Sequence, residues 1–222
     1  MSKGLVGSLR DAATDAGVDV TGEALERLAT FLGVFAIWSR RTRLTGERDP
    51  EVVVSRHVAD SLAGLRVLPS EGLVVDIGSG AGFPGIVLAC TRPEQDFALI
   101  ESRRRRASFL REVVRAVALS RVRVLEVRAE AASASTMLAG RAQAVIARGL
   151  RSDVFLSVAR PLMAPAGVAI AMQTPASLAR AVSDASALGL GLVQAVSYSL
   201  RDGAPRSLLV FGGTGRSAPP VS

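Results

Sequence analysis

Apolar residues recur at helical spacing in the first part of the chain. Between positions 21 and 38 they return every third or fourth residue, which predicts a helix with one buried face. Those positions are Leu25, Leu28, Ala29, Leu32, Phe35 and Ala36. The polar, alanine-rich segment 1–20 ahead of them predicts a smaller helix with a loose end.

A further helix is predicted from Pro50 to about Leu65. Asp49 and Pro50 mark its start, because Asp is a favoured N-cap and Pro fits the first helical position. Residues three and four apart share a helix face, so four polar residues of this helix are expected close together. They are Arg56, His57, Asp60 and Ser61.

From residue 73 onward, short apolar runs alternate with helical patterns, which is typical of a doubly wound parallel sheet. The predicted strands are 73–77, 97–100, 122–127, 143–147 and 167–172, followed by an antiparallel hairpin of 193–200 and 208–211. The predicted helices are 86–90, 103–119, 152–162 and 176–188. We therefore expect an α/β domain at 69–211 after a helical extension at 1–68. The Gly-, Ser- and Pro-rich tail 212–222 is expected to be disordered.

A glycine-rich turn follows the first strand. The strand carries Asp76, and Gly78, Gly80 and Gly82 follow at alternate positions. Such a turn brings backbone N–H groups close to a ligand. With Gly85 the spacing also fits the dinucleotide fingerprint, so a dinucleotide-dependent oxidoreductase is one interpretation, and an ordinary connection is another. A carboxylate before the turn suits cationic S-adenosylmethionine better than a dianionic pyrophosphate.

Glu101 ends the second predicted strand, 19 residues after Gly82. An acidic side chain at this place can hold both ribose hydroxyls of a nucleoside. A strand with an acid, a glycine turn, a helix and a second strand ending in an acid resembles the cofactor half of class I methyltransferases. The fold expected is therefore Rossmann-like, with Asp76, Gly80 and Glu101 at the cofactor.

Composition limits the class of protein. The chain of 222 residues is 49% hydrophobic, which is enough for a full core. Its single cysteine, Cys90, excludes a disulfide framework and favours a reducing compartment. No apolar run reaches the length of a membrane span, and no signal-peptide core is present. We expect a soluble cytoplasmic protein that does not bind membranes. Its oligomeric state is not determined by the sequence, and a monomer is the default.

Basic residues are concentrated in one segment. The net charge is +7, and residues 103–128 contain nine arginines against two acidic residues. A one-sided basic field favours nucleic acid, although a solvated helix face is the alternative. The candidate RNA-binding residues are Arg104, Arg111 and Arg115 of this segment, together with Arg40, Arg41 and Arg43 of the basic loop 39–46.

Several motifs together resemble the RsmG (GidB) family of bacterial 16S ribosomal RNA guanine-N7 methyltransferases. They are Leu44-Thr45, Arg56-His57 with Asp60-Ser61, the turn 76–85, and Arg148. The resemblance covers roughly residues 25–211 and implies methyl transfer from S-adenosylmethionine to N7 of a guanine in the small subunit's 16S RNA. The alternative is a methyltransferase that acts on another RNA or on a small molecule.

The resemblance also implies site residues. Cofactor positions fall on Gly78, Phe83, Ala129, Glu130 and Arg148. Arg148 is expected to face the donor methyl group and to be the catalytic residue. His57 is a candidate for substrate binding or a catalytic pair with Asp60; the alternative is that Asp60 orients His57 or caps a neighbouring loop.

Three positions depart from the family pattern. Arg43 stands where the family usually has Asn, Gly149 where it has Ala, and Gln173 where it has Lys. The last change removes a cation near the expected substrate mouth.

The expected chemistry needs few special residues. Guanine N7 has a free lone pair, so its methylation requires no proton removal and depends mainly on alignment. Cys90 lies inside an apolar helix and is interpreted as core, not as the nucleophile of a pyrimidine methyltransferase. No His/Cys cluster has metal-ligand spacing, so no metal site is predicted.

Overall fold

The computed structural model of the protein describes residues 3–47 and 49–213. Three helical segments come first: α1 (Lys3–Ala16), α2 (Gly22–Ser39) and the continuous helical run 50–66, named α3. Strands and helices then alternate. They are β1 (Leu73–Ile77), α4 (Gly85–Thr91), β2 (Phe97–Ile100), α5 (Arg104–Val117), β3 (Val122–Leu125), α6 (Ala129–Ala132), β4 (Ala142–Arg148), α7 (Ser152–Ala159), β5 (Met163–Gln173), α8 (Leu178–Ala187), β6 (Leu190–Ser199) and β7 (Pro205–Gly213).

The strands form one sheet in the order β3-β2-β1-β4-β5-β7-β6. Neighbours from β3 to β5 run parallel, whereas β7 pairs antiparallel with both β5 and β6. The predicted doubly wound sheet with an antiparallel final hairpin is confirmed. The strand order reverses between β1 and β4, and open α/β sheets bind ligands beyond the carboxyl ends of the strands at this reversal.

The N-terminal helices share a hydrophobic core with the sheet. Leu9 of α1, Leu28 of α2 and Val58 of α3 belong to the same buried cluster as Val74 of β1 and Ile86 of α4. A second buried cluster covers the opposite face of the sheet, under α7 and α8. The helical extension is thus packed as one layer of the domain, so side chains of α3 reach the carboxyl edge of the sheet.

α3 departs from the regular helix that the sequence predicts. Asp49 caps its start by accepting a hydrogen bond from Glu51 N at 2.9 Å, as expected. Residues Val53–Val58 then form a π-helix, in which Ala59 N donates to Val54 O, before α-helical geometry returns. The wider turn changes which side chains share a face.

This π-helical turn corrects one prediction about α3. Arg56 does not join His57 and Asp60: its guanidinium pairs with Asp202 at 2.8 Å and with Glu47 at 3.5 Å on the exposed side. The Ser61 Oγ donates to the His57 carbonyl at 2.6 Å, a local hydrogen bond within the helix.

Strand boundaries are the other main differences. β3 ends at Leu125, two residues early, whereas β5 begins at Met163, four residues before the predicted start. Gly212 and Gly213, the first two residues of the tail that was predicted to be disordered, instead pair with Gly191 and Leu190 in the last hairpin. The rest of that tail, 214–222, lies outside the described residues.

Candidate active site

The turn between β1 and α4 is built on left-handed glycines. Gly78, Gly80 and Gly82 have φ values of 73°, 53° and 87°, which residues with a side chain rarely adopt. Gly82 is also packed tightly, since a Cβ there would lie 3.0 Å from Ile86. Gly78 differs, because it is exposed and a Cβ there would meet only Leu150, at 4.0 Å. The turn therefore opens toward solvent at Gly78.

Asp76 lies beneath this turn and has no exposed surface. Its Oδ2 accepts a hydrogen bond from Gly85 N at 3.1 Å, and Oδ1 has no partner among the described residues. Burial raises the pKa of this carboxyl to about 6. The sequence predicts that Asp76 meets a cationic ligand directly; the structure instead shows a carboxylate that anchors the turn from below. The spacing of Asp76 to the glycines was informative, but it does not reveal that the side chain points inward.

Glu101 joins the glycine turn to α5. Its Oε2 accepts from Gly80 N at 3.0 Å, and its Oε1 accepts from Arg103 N at 2.7 Å. Each carboxylate oxygen can accept a second hydrogen bond, so these contacts leave acceptor capacity for hydroxyl groups. The predicted acidic residue is thus at the edge of the sheet beside the turn, held by two backbone donors.

Ala129 and Glu130 begin the short helix α6, directly after β3. β3 neighbours β2, so both residues lie at the same edge of the sheet as Glu101. Ala129 is half-buried against the core of the second cluster, and Glu130 is exposed. The expected adenine side of a nucleoside site is therefore bounded by this helix.

Arg148, the last residue of β4, connects three parts of the molecule. Its Nη1 donates to Asp60 Oδ2 and its Nη2 donates to His57 Nδ1, both at 3.1 Å. The guanidinium carbon also lies 5.4 Å from the centroid of the Phe83 ring. Phe83 stacks on His57 with centroids 5.2 Å apart, so its contacts tie the glycine turn to α3. The Arg148 side chain is 19% exposed, which leaves part of it toward the cleft.

The contact with Arg148 defines the proton on His57. A guanidinium has no acceptor, so His57 Nδ1 must accept and the ring proton lies on Nε2. Burial, reinforced by the charge of Arg148 and opposed by Asp60, lowers the pKa of His57 to about 4. The imidazole is therefore neutral near pH 7 and is a poor general base. Asp60 does not bond to His57; both residues bond to Arg148.

Two residues of the last hairpin complete this group, and sequence reasoning missed both. The Tyr198 hydroxyl donates to Asp60 Oδ1 at 2.6 Å, and Arg206 Nε lies 3.7 Å from the same oxygen. Tyr198 and Arg206 are register partners on β6 and β7. Nothing in the local sequence signals these contacts, since 138 residues separate Tyr198 from Asp60.

The predicted RNA-binding arginines lie on two exposed surfaces. Arg40, Arg41 and Arg43 follow α2, and Arg104, Arg111 and Arg115 lie on α5. Two of the α5 arginines are already paired with carboxylates.

Arg111 contacts Glu126 at 2.9 Å and Arg115 contacts Glu112 at 2.6 Å. Arg104 has no ion pair within the described part of the chain. The positive field of α5 is therefore concentrated at its N-terminal end.

Arg106 connects these surfaces to the glycine turn and was also missed. Its Nη1 lies 3.6 Å from the position of a Cβ on Gly80, and its Nη2 donates to the Arg43 carbonyl at 3.4 Å. The basic loop after α2 is thereby attached beside the turn. Within residues 3–47 and 49–213, no group of His, Cys, Asp and Glu is arranged to hold a metal ion, and no helix suits a membrane span.

Comparison with known proteins agrees with this geometry. Residues 24–202 match the family model described as rRNA small subunit methyltransferase G. The Ribosomal RNA small subunit methyltransferase G of Halorhodospira halophila is 36% identical over 165 residues, which cover 74% of this chain and 77% of that protein.

Two solved structures share the fold. A structure described as a predicted O-methyltransferase, Atu636 of Agrobacterium tumefaciens, has a TM-score of 0.60 at 22% identity and covers 71% of this chain and 82% of its own. That of M. jannaschii TYW2 in complex with AdoMet has a TM-score of 0.56 at 17% identity, covering 71% and 76%. The fold is that of class I methyltransferases, as predicted. The match over most of its length shows that the chain belongs to the rRNA small subunit methyltransferase G family.

Proposed function

We propose that the protein transfers a methyl group from S-adenosylmethionine to N7 of a guanine in 16S ribosomal RNA, in the cytoplasm. One observation carries this proposal: Arg148 is held by Asp60 and His57 at the carboxyl end of β4, near the open glycine turn. Family membership supports the substrate class. The sheet edge at which these residues meet is where open α/β sheets bind ligands.

The residues at this edge fit S-adenosylmethionine. Gly78 leaves room for the methionyl part, since only Leu150 lies near the position of its absent Cβ. Glu101 supplies acceptors for ribose hydroxyls, and Ala129 with Glu130 bounds the expected adenine side.

When bound, this cofactor supplies an electrophilic methyl group on sulfur. Asp76 supports the turn, and Phe83 forms part of the wall behind Arg148.

The proposed reaction requires that guanine N7 be aligned with the methyl group of the cofactor, and it requires no proton transfer. Guanine N7 presents a lone pair and has no proton to lose. Arg148 offers fixed donors that can orient a base edge or a carboxylate, because its planar fork is held on two sides. His57 has a pKa of about 4 and is therefore neutral near pH 7. It can accept the hydrogen bond from Arg148, and it adds no second positive charge that would attract the incoming guanine.

The RNA is proposed to approach across the basic loop and the start of α5. Arg40, Arg41 and Arg43 are exposed there, and Arg106 holds the loop beside the glycine turn. Arg104 adds a charge that no described carboxylate neutralises. Phosphate contacts from such residues position the RNA, whereas the base is recognised in the cleft.

One departure from the family pattern has a structural role. The Gln173 Nε2 donates to the Leu150 carbonyl at 3.1 Å, and the Leu150 side chain lies nearest to Gly78. Gln173 therefore holds the loop that follows Arg148. Because Gln173 is neutral where the family usually has Lys, the substrate side of the site lacks one positive charge. Methylation of another RNA or of a small molecule is therefore the second candidate function, and the test below distinguishes the two.

The deciding experiment maps N7-methylguanine in 16S RNA from cells with and without the gene, and repeats the methylation with purified protein and labelled S-adenosylmethionine. We expect one guanine to lose its methyl group in the deletion strain and to regain it with the wild-type gene. Arg148→Ala should not restore it. Unchanged 16S RNA, with label appearing in another RNA or a small molecule, would establish the second candidate.

A further inference from the structure

We propose that Tyr198 is a positioning residue for Arg148 and acts through Asp60. A continuous chain of hydrogen bonds runs from the Tyr198 hydroxyl to Asp60 Oδ1, and from Asp60 Oδ2 to Arg148 Nη1. The role of Arg148 as the aligning residue rests on the proposed function. The placement of its guanidinium by Tyr198 concerns the protein alone and is measurable without RNA.

Asp60 needs a strong partner on each oxygen. Its side chain is only 6% exposed, so water does not replace a lost hydrogen bond. The bond from Tyr198 is short, at 2.6 Å, as expected for a hydroxyl that donates to a carboxylate. Together the two partners define one orientation of the carboxylate, which in turn directs the guanidinium of Arg148.

Arg206 is the competitor that makes this orientation depend on Tyr198. Its Nε lies 3.7 Å from Asp60 Oδ1, longer than a hydrogen bond, while the Tyr198 hydroxyl occupies that oxygen. Removing the hydroxyl leaves Arg206 as the nearest donor to Oδ1. The carboxylate then turns toward Arg206, and Arg148 loses its fixed geometry beside His57.

The catalytic test uses Tyr198→Phe, which removes only the hydroxyl. We expect its single-turnover methylation rate to fall about 10-fold, the factor for losing about one hydrogen bond to a charged group. Asp60→Asn should lose at least as much. In the Asp60→Asn background, Tyr198→Phe should cause no further loss, because the path through the carboxylate is already broken. Full rate in Tyr198→Phe, or multiplied losses in the double variant, would overturn the proposal.

The matched control is Val196→Ala. Val196 lies on the same face of β6 two residues earlier and packs against the same core, but its side chain has no donor that could hydrogen-bond to Asp60. We expect this variant to lower the melting temperature at least as much as Tyr198→Phe while keeping the wild-type rate. Equal rate losses in both variants would mean that Tyr198 acts only through the stability of the hairpin.

A second readout needs neither RNA nor cofactor. His57 is the single histidine, so one C2–H signal in the NMR spectrum reports its titration. Burial is the main cause of the low pKa of His57; Arg148, Arg56 and Arg206 lower it further, and Asp60 opposes them. Movement of the Asp60–Arg148 pair should therefore shift that pKa in Tyr198→Phe but not in Val196→Ala. An unchanged titration contradicts the positioning role, whereas a shifted titration in a protein that methylates no RNA contradicts only the proposed function.

Discussion

Asp60 and Arg148 form a buried ion pair, with Asp60 Oδ2 and Arg148 Nη1 3.1 Å apart and the side chains 6% and 19% exposed. The pair joins α3 of the N-terminal helical layer to the carboxyl end of β4. Removing one partner of a buried pair leaves an uncompensated charge and costs about 3–5 kcal/mol in well-buried cases. The contact thus attaches the helical layer to the site as well as stabilising the fold.

Arg148 is predicted to act through the geometry of its fork and not through charge alone. Arg148→Lys keeps the charge but cannot contact Asp60 and His57 in the same planar arrangement, so its single-turnover rate should fall about 100-fold. Arg148→Ala should lose at least as much. Circular dichroism is the folding control for both variants. A near-wild-type rate in Arg148→Ala would assign this arginine a structural role and direct the search toward His57 and Asp60.

The pH dependence of stability should contain a contribution from His57. Its pKa is about 4 in the folded protein and near 6.5 when unfolded, so the unfolded state takes up the proton first as the pH falls. The contribution of His57 is destabilising and is absent above about pH 6.5. As the pH falls from that value to about 4, the free energy of unfolding decreases progressively. His57→Gln cannot titrate and should lose less stability over this window.

Urea unfolding of the wild type and His57→Gln at several pH values measures that difference directly. The comparison is needed because Asp76, whose pKa is raised to about 6, contributes with the opposite sign: stability from this acid increases as the pH falls below 6. Asp76 is present in both proteins and cancels in the difference. Identical pH profiles for the two proteins would contradict the lowered pKa of His57.

Gly78→Val is predicted to abolish binding of S-adenosylmethionine in calorimetry. The new side chain would project into the open space at the turn, where the methionyl part is expected. Gly140→Val is the matched control, because Gly140 has a similar φ of 65° and nothing within 4 Å of its Cβ position, but precedes β4 at the opposite edge of the sheet. The control should share the backbone strain and keep the affinity. Unchanged affinity in Gly78→Val would place the cofactor elsewhere.

RNA affinity should fall steeply as salt rises, because arginine–phosphate contacts release counterions. Reversing the charges of Arg104, Arg111 and Arg115 should weaken binding and reduce the slope of log affinity against log salt. Among single changes, Arg104→Glu should have the largest effect, since Arg111 and Arg115 are already paired.

Arg121→Glu serves as the control for the charge-reversal series. Arg121 is an exposed arginine paired with Asp96 at 2.8 Å, near the start of β3 and away from the carboxyl edge. Its reversal should leave the slope unchanged. Binding that survives the triple change with an unaltered slope would show that the α5 arginines form only a solvated face.

The predicted elements differ in accuracy for a physical reason. The glycine turn, β1 and β2 were located almost to the residue, because left-handed backbone and continuous burial restrict the residues allowed there. α3 was predicted as a regular helix, and its π-helical turn was missed. Next to and within this turn, Arg56 pairs with Asp202 on the exposed side, whereas His57 and Asp60 contact Arg148 at the end of β4.

Local sequence therefore determined which strands and helices follow one another along the chain, the glycine turn, the acid after β2 and the positions of the basic residues. Each of these depends on neighbouring residues. Only the tertiary structure decided that Asp76 points inward, that Asp60 bonds to Arg148 and not to His57, and that Tyr198 bonds to Asp60. These contacts join residues up to 138 positions apart. The arrangement of strands in the sheet and the packing of helices bring such residues together in space. The pattern of residues along the chain does not show which distant positions will meet.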